Sequence, residues 1–156
     1  VRREFPPTVS HSEFLRFKDR IRQEIDRPLL ERLVPVGTVL RSVYTEMREG
    51  KVTFGRQIGT YPLLIGIPHP VELERFYDVA VVGHGFRSIS AVEHPLNVNG
   101  CHITALEALP GLGRKRAIRL FRARPLEGRD DLRNALDDPK VADLVLPFLS
   151  FERPEH

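Results

Sequence analysis

The residues best suited to chemistry lie in one stretch, Leu109-Pro110-Gly111-Leu112-Gly113-Arg114-Lys115-Arg116-Ala117. A short apolar run, Ile103 to Leu109, leads into it, and a strongly basic run, Arg114 to Arg124, follows. Pro110 cannot continue the first run as a helix, because it lacks an N–H and its ring collides with the preceding turn. Gly111 and Gly113 permit positive φ and leave the backbone bare, so a phosphate or another chain can come close. A second helix starting here presents free N–H groups and the positive end of its dipole. Arg114, Lys115, Arg116 and Arg119 surround that end with charge, which makes the stretch a candidate grip on a phosphate backbone. The alternative is a plain helical hairpin whose Pro-Gly is only a turn.

Taken with Leu96-Asn97-Val98-Asn99 before it and Arg122-Ala123-Arg124-Pro125-Leu126 after it, Leu106 to Ala117 resembles the helix-hairpin-helix family of sequence-independent nucleic-acid binders. The resemblance implies that Gly111, Leu112, Gly113, Arg114, Lys115 and Arg116 meet a DNA or RNA phosphate. It also implies a second, glycine-rich hairpin in a tandem domain. Asp137-Asp138-Pro139-Lys140 stands there instead, so the second half is expected only to pack against the first, its acidic pair repelling phosphate.

No catalytic constellation accompanies the grip. The six histidines are scattered without metal-site spacing, and Cys101-His102 is an isolated pair where a structural zinc site needs about four ligands. Glu72, Glu74 and Asp78 fall on turn and strand positions expected to be solvated. His84, between Gly83 and Gly85, is the most suggestive single side chain, since a glycine-flanked loop can aim it. His102 stands at a helix N-cap, where Ser, Thr or Asp is usual.

The elements that must position these residues begin with a helix. Pro6-Pro7 favours an extended start, and Ser10-His11-Ser12-Glu13 has the spacing of a capping box. The helix carries Phe14, Phe17, Ile21 and Ile25 on one face. Pro28 is expected to break it and to start a short second helix, Leu29 to Leu33. The apolar stripe is expected to pack on the adjacent barrel or on sequence outside the chain.

From Val36 to Pro95 the period changes to two. Strands are predicted over 38–45, 52–55, 61–67, 76–82 and 88–92, with bends at Gly55, Gly59, Gly66, Gly83 and Gly85. Five short strands with glycine corners predict a small antiparallel barrel of the oligonucleotide-binding type. Val36-Gly37-Thr38-Val39, Gly55-Arg56-Gln57-Ile58-Gly59-Thr60-Tyr61 and Phe76 to Val81 resemble the TRAM domain, a small RNA-binding barrel. Arg56, Tyr61 and Arg87 are its candidate base-stacking and phosphate-attracting residues; alternatively Tyr61 is a core or edge aromatic and the arginines solvate the rim. Beyond the barrel and the hairpin, Arg129 to Leu136 predicts a third helix with Leu132 and Leu136 inward, and Pro139 to Leu146 a fourth. The expected organisation is α+β: a helical connector over 1–35, a barrel over 36–95 and a helix-hairpin-helix domain over 96–152.

At 156 residues the chain is one compact domain or two small ones. Its net charge of +3 is mild but concentrated in the hairpin. A single cysteine excludes an internal disulfide framework and fits a reducing, cytoplasmic setting. No apolar run approaches the roughly 20 residues of a membrane span, and no signal-peptide pattern opens the sequence. A start at Val1 in a charged segment suggests a piece of a longer protein.

The order helix, TRAM-like barrel, helix-hairpin-helix, with Thr53 to Pro68 and His84-Gly85-Phe86-Arg87-Ser88, resembles the C-terminal part of archaeal-type radical SAM iron–sulfur proteins. The resemblance implies an upstream radical SAM domain using a 4Fe–4S cluster and S-adenosylmethionine. Such a cluster takes three cysteines, so none is expected within this chain. The functional expectation is a non-catalytic region that holds RNA (tRNA-like) or DNA for a larger enzyme, without membrane contact. The alternative is a protein–protein interaction module using the apolar stripe and the barrel.

Overall fold

The computed structural model describes residues 9–59 and 63–154. The architecture is α+β: a helical arm, a closed five-stranded barrel, and a helical half built against the barrel wall. Ser10 caps α1 (His11–Ile21) with the expected reciprocal pair, its Oγ accepting from the Glu13 amide at 3.2 Å while Glu13 Oε2 accepts from the Ser10 amide at 2.9 Å. Pro28 does not break the arm. The helix widens into a π-helical turn, Arg22–Asp26, and continues as α2 (Arg27–Leu33), with right-handed helical backbone angles at the junction residues Ile21, Arg22, Asp26 and Arg27. Looser i→i+5 bonding accommodates a residue that has no N–H to donate and needs room for its ring.

Most of the stripe is left uncovered: Phe14 and Phe17 on α1 and Ile25 in the π-helical turn are each more than half exposed, while Ile21 is half-buried. Leu30 and Val34, at the foot of the arm, pack on the barrel core. His84 bonds the Val34 carbonyl through Nε2, and Arg87 pairs with Asp26 at 3.0 Å. The glycine-flanked His84 therefore holds the arm to the barrel.

The strands are β1 (Val39–Glu49), β2 (Val52–Gln57), β3 (Leu64–Ile67), β4 (Phe76–His84) and β5 (Ser88–Glu93), closed in the order β1-β2-β3-β5-β4. All neighbours are antiparallel except β3 and β5, which run parallel. The expectation of a purely antiparallel barrel is thus corrected at one seam. With β4 paired to β5 on one side and to β1 on the other, closure leaves β5 and β3 side by side in the same direction. Alternation places Val43, Ile65, Ile67, Val79, Val81 and Ile89 inside. Gly55 is required by close approach, since a Cβ there would stand 2.5 Å from the Tyr44 carbonyl oxygen.

β6 (Leu96–Asn97) leaves the barrel and pairs in parallel with β7 (Leu149–Ser150). Between them run α3 (Ile103–Ala108), α4 (Gly113–Ala123), α5 (Arg129–Ala135) and α6 (Pro139–Val145). Leu106, Leu120, Leu132 and Val145 form one apolar core with Ala80 and Val92 from the outer wall of β4 and β5. Asn99 clamps the segment after α4, donating from Nδ2 to the Leu126 carbonyl and accepting from the Leu126 amide, both at 2.8 Å. Among the described residues no helix is long and apolar enough to cross a membrane.

Candidate nucleic-acid interface

α3 stops at Leu109, whose backbone turns extended, and Pro110 begins the reversal. Gly111 and Gly113 both take positive φ, +74° and +65°, where a side chain would be strained. The two glycines differ in surroundings. A Cβ on Gly111 would lie 3.5 Å from Leu144 and 3.7 Å from Val141, so this residue packs against α6. A Cβ on Gly113 would meet nothing within 4 Å. The backbone is therefore open at Gly113 and packed at Gly111. Leu109 and Leu112 anchor the turn in the core, and the Leu112 amide donates to the Leu109 carbonyl at 3.2 Å. Leu112 is thus buried in the turn and also lines the cleft described next. No side chain caps α4, which leaves the first amides of that helix as donors.

A cleft of about 370 Å³ opens at this helix start, lined by Leu112, Gly113, Arg114, Lys115, Arg116, Arg119 and Asp137. The fold thus brings the hairpin candidates together. Helical spacing sets Arg116 and Arg119 side by side, and Asp137 bridges them: Oδ1 to Arg116 Nε at 2.9 Å, Oδ2 to Arg119 Nη1 at 3.1 Å. The hydrogen bond from Arg116 holds the Asp137 carboxyl below its ordinary range. Arg116 also donates from Nη1 to the Gly111 carbonyl at 2.9 Å, tying the guanidinium to the turn. Arg114 pairs with Glu107 at 2.8 Å. Asp138 caps α6 through the Lys140 amide. The acidic pair is therefore divided, one carboxylate capping α6 and the other inside the basic cleft.

Arg56 and Arg87 do not join this cleft. Arg56 on β2 stands opposite Tyr44 on β1 and 3.8 Å from Glu46. Arg87 lines a separate, mainly apolar cleft with Asp26, Leu29, Leu33, Leu63 and Phe86. Tyr61 lies outside the described residues. Sequence reasoning missed the ring pair of Tyr44 and Phe76, with centroids 5.1 Å apart and Phe76 over half exposed. Alternation of Val43 and Thr45 inward was the available signal for an outward Tyr44.

A third cleft, at the junction of barrel and helices, is lined by His69, Glu93, Asn97, Cys101 and His102 among others. His69 is buried with Nε2 3.7 Å from Glu93. His102 caps α3, accepting from the Thr104 amide at 3.3 Å. Burial pushes the Cys101 thiol up to about 11, so it is a packed thiol rather than a ready thiolate. Among the described residues no three His, Cys, Asp or Glu side chains are arranged to hold a metal ion. A 4Fe–4S cluster does not fit this chain, whose one cysteine cannot supply three thiolates.

No protein-family model and no solved structure matches the chain. It is 39% identical over 99 residues to an uncharacterized protein of Archaeoglobus fulgidus, which covers 64% of this chain and 18% of that protein. It is 49% identical over 79 residues to an uncharacterized protein of Methanocaldococcus jannaschii, 49% of this chain and 14% of that one. The chain thus spans less than a fifth of the length of these relatives.

Proposed function

We propose that the chain is a nucleic-acid-binding region of a larger protein, gripping the phosphate backbone of RNA or DNA at the start of α4. The observation that carries this reading is the cleft itself, where an open glycine with positive φ, uncapped helix amides and four basic side chains converge. Backbone amides and a helix dipole favour an anion, and clustered guanidinium groups extend that preference to a polyanion. A small closed five-stranded barrel, the kind of architecture that oligonucleotide-binding folds use, supports the same reading. Within this proposal the region serves a radical SAM enzyme, whose cluster and S-adenosylmethionine would belong to sequence beyond this chain.

A titration by fluorescence anisotropy against labelled tRNA, duplex DNA and single strands over a salt series tests it. Binding to at least one probe, with log affinity falling about 0.9 per phosphate contact in log salt for a duplex, is the expected result. Failure to bind any of them at low salt removes the proposal. A second reading, a protein-docking module, is favoured by the exposed Phe14, Phe17, Ile25 and Leu33 on the arm; docking through that face would be nearly indifferent to salt.

A further inference from the structure

Asp137 does what a phosphate would do in the hairpin cleft. Its two carboxylate oxygens reach one guanidinium each, 2.9 Å to Arg116 and 3.1 Å to Arg119, as two non-bridging phosphate oxygens would. It sits past the end of α5, after Leu136 has turned extended and before the cap of α6. Arg116 is held from a second side by the Gly111 carbonyl at 2.9 Å, and so stays aimed into the cleft when the carboxylate leaves. Lys115 has no ion pair among the described residues, and Arg114 is paired with Glu107. The cleft is therefore divided into a free end at Gly113 and Lys115 and a two-arginine end already filled from within.

We propose that Asp137 is an internal anion that sets the selectivity of the hairpin cleft, so that a ligand reaches Arg116 and Arg119 only by displacing it. This rests on the reading of the cleft as a phosphate site. A single weakly charged anion gains the free end but competes poorly for the two arginines. A ligand with closely spaced phosphates gains the free end first, and its next phosphate, held nearby at high effective concentration, displaces the carboxylate. The released group is a protein carboxylate rather than a mobile counterion, so binding depends less on salt than the number of basic side chains implies.

The test compares Asp137→Asn with Asp143→Asn in the full chain. Asp143 pairs with Arg129 and Arg133 at 3.0 and 2.8 Å outside the cleft, so its variant makes the same change in net charge at another place. The probes are inorganic phosphate, inorganic pyrophosphate and a labelled DNA duplex, read by anisotropy for the duplex and by the Arg116 and Arg119 Nε–H resonances for the small anions. Asp137→Asn is expected to bind duplex and pyrophosphate about tenfold more tightly, the scale of one close charge pair. It is also expected to narrow the preference for pyrophosphate over phosphate and to steepen the duplex salt slope by roughly one. Asp143→Asn should change each of these less than about twofold.

Equal gains in the two variants would reduce the effect to net charge and overturn the proposal. Weaker or unchanged binding in Asp137→Asn would overturn it too, making Asp137 a positioning residue or a bystander. Should Asp137→Asn fold poorly, the parent alone decides. Pyrophosphate must shift both arginine resonances and the Asp137 carboxyl carbon together, and movement of the arginines without Asp137 refutes displacement. If the pyrophosphate results hold while tRNA, duplex and single strands all fail to bind, the nucleic-acid reading falls and the role of Asp137 stands.

Discussion

Replacing Gly113 and Gly111 one at a time with valine separates the grip from the scaffold. Gly113 has φ +65° with open space about its Cβ position, so valine there meets backbone strain alone, about 1–3 kcal/mol for a non-glycine residue in that region. For a chain of this size that is a fall in Tm of roughly 2–12 °C. The branched side chain also stands over the first amides of α4. Loss of one or two amide–phosphate bonds, at about 1.5–3 kcal/mol each for a charged partner, weakens binding by more than tenfold. Gly111 carries the same strain at φ +74° and in addition faces Leu144 at 3.5 Å and Val141 at 3.7 Å. Valine there overpacks the contact between turn and α6 at a further 1–3 kcal/mol or so, so Gly111→Val should melt below Gly113→Val. Thermal melts by circular dichroism and anisotropy titrations on the same preparations give both quantities. If both variants melt like the parent and bind tRNA and duplex undiminished, the hairpin is a turn and nothing more. If Gly111→Val melts above Gly113→Val, the assignment of Gly111 to the scaffold is wrong.

Lys115→Ala should weaken binding to all sequences about equally and flatten the salt slope by roughly one unit, as loss of one phosphate contact does; a sequence-dependent loss would refute a backbone contact. Gly55→Ala should destabilise the barrel by about 1–3 kcal/mol, because the new methyl meets the Tyr44 carbonyl oxygen at 2.5 Å. Gly59→Ala, with open space around it, should be near neutral in the same denaturant titration, and equal effects would refute the close approach. Burial, opposed by Glu93, lowers the His69 pKa from its usual 6.5. A depressed native value means that the unfolded chain binds the proton more readily, so stability is fully present above pH 6.5 and is lost as pH falls through the native value. The fall in Tm on acidification below about pH 6.5 should therefore be shallower in His69→Gln; an unchanged slope would place the titrating group elsewhere.

Much of the local structure followed from short-range rules. The Ser10–Glu13 spacing produced a real capping box, alternating β-branched residues produced the strands, and Pro110 with two glycines produced a turn with positive φ at both glycines. In each case the deciding forces act within a few residues, through caps, side-chain period or backbone sterics. Pro28 shows the limit of such rules, since a π-helical turn absorbed the residue that should have ended the helix.

What joins distant segments was decided by the tertiary structure. The parallel seam between β3 and β5 depends on how the barrel closes, which no single strand encodes. The stripe of Phe14, Phe17, Ile21 and Ile25 has the period of a buried face, yet all but the half-buried Ile21 are exposed, because periodicity states which residues share a side and not what covers them. The basic run at 114–119 was legible, but its effective charge was not. Asp137 lies 21 residues beyond Arg116 and reaches the cleft only because α5 and α6 fold back against α4. A sequence lists charges in order along the chain, whereas Coulomb forces depend on distances in space, and those distances come from the packed helices.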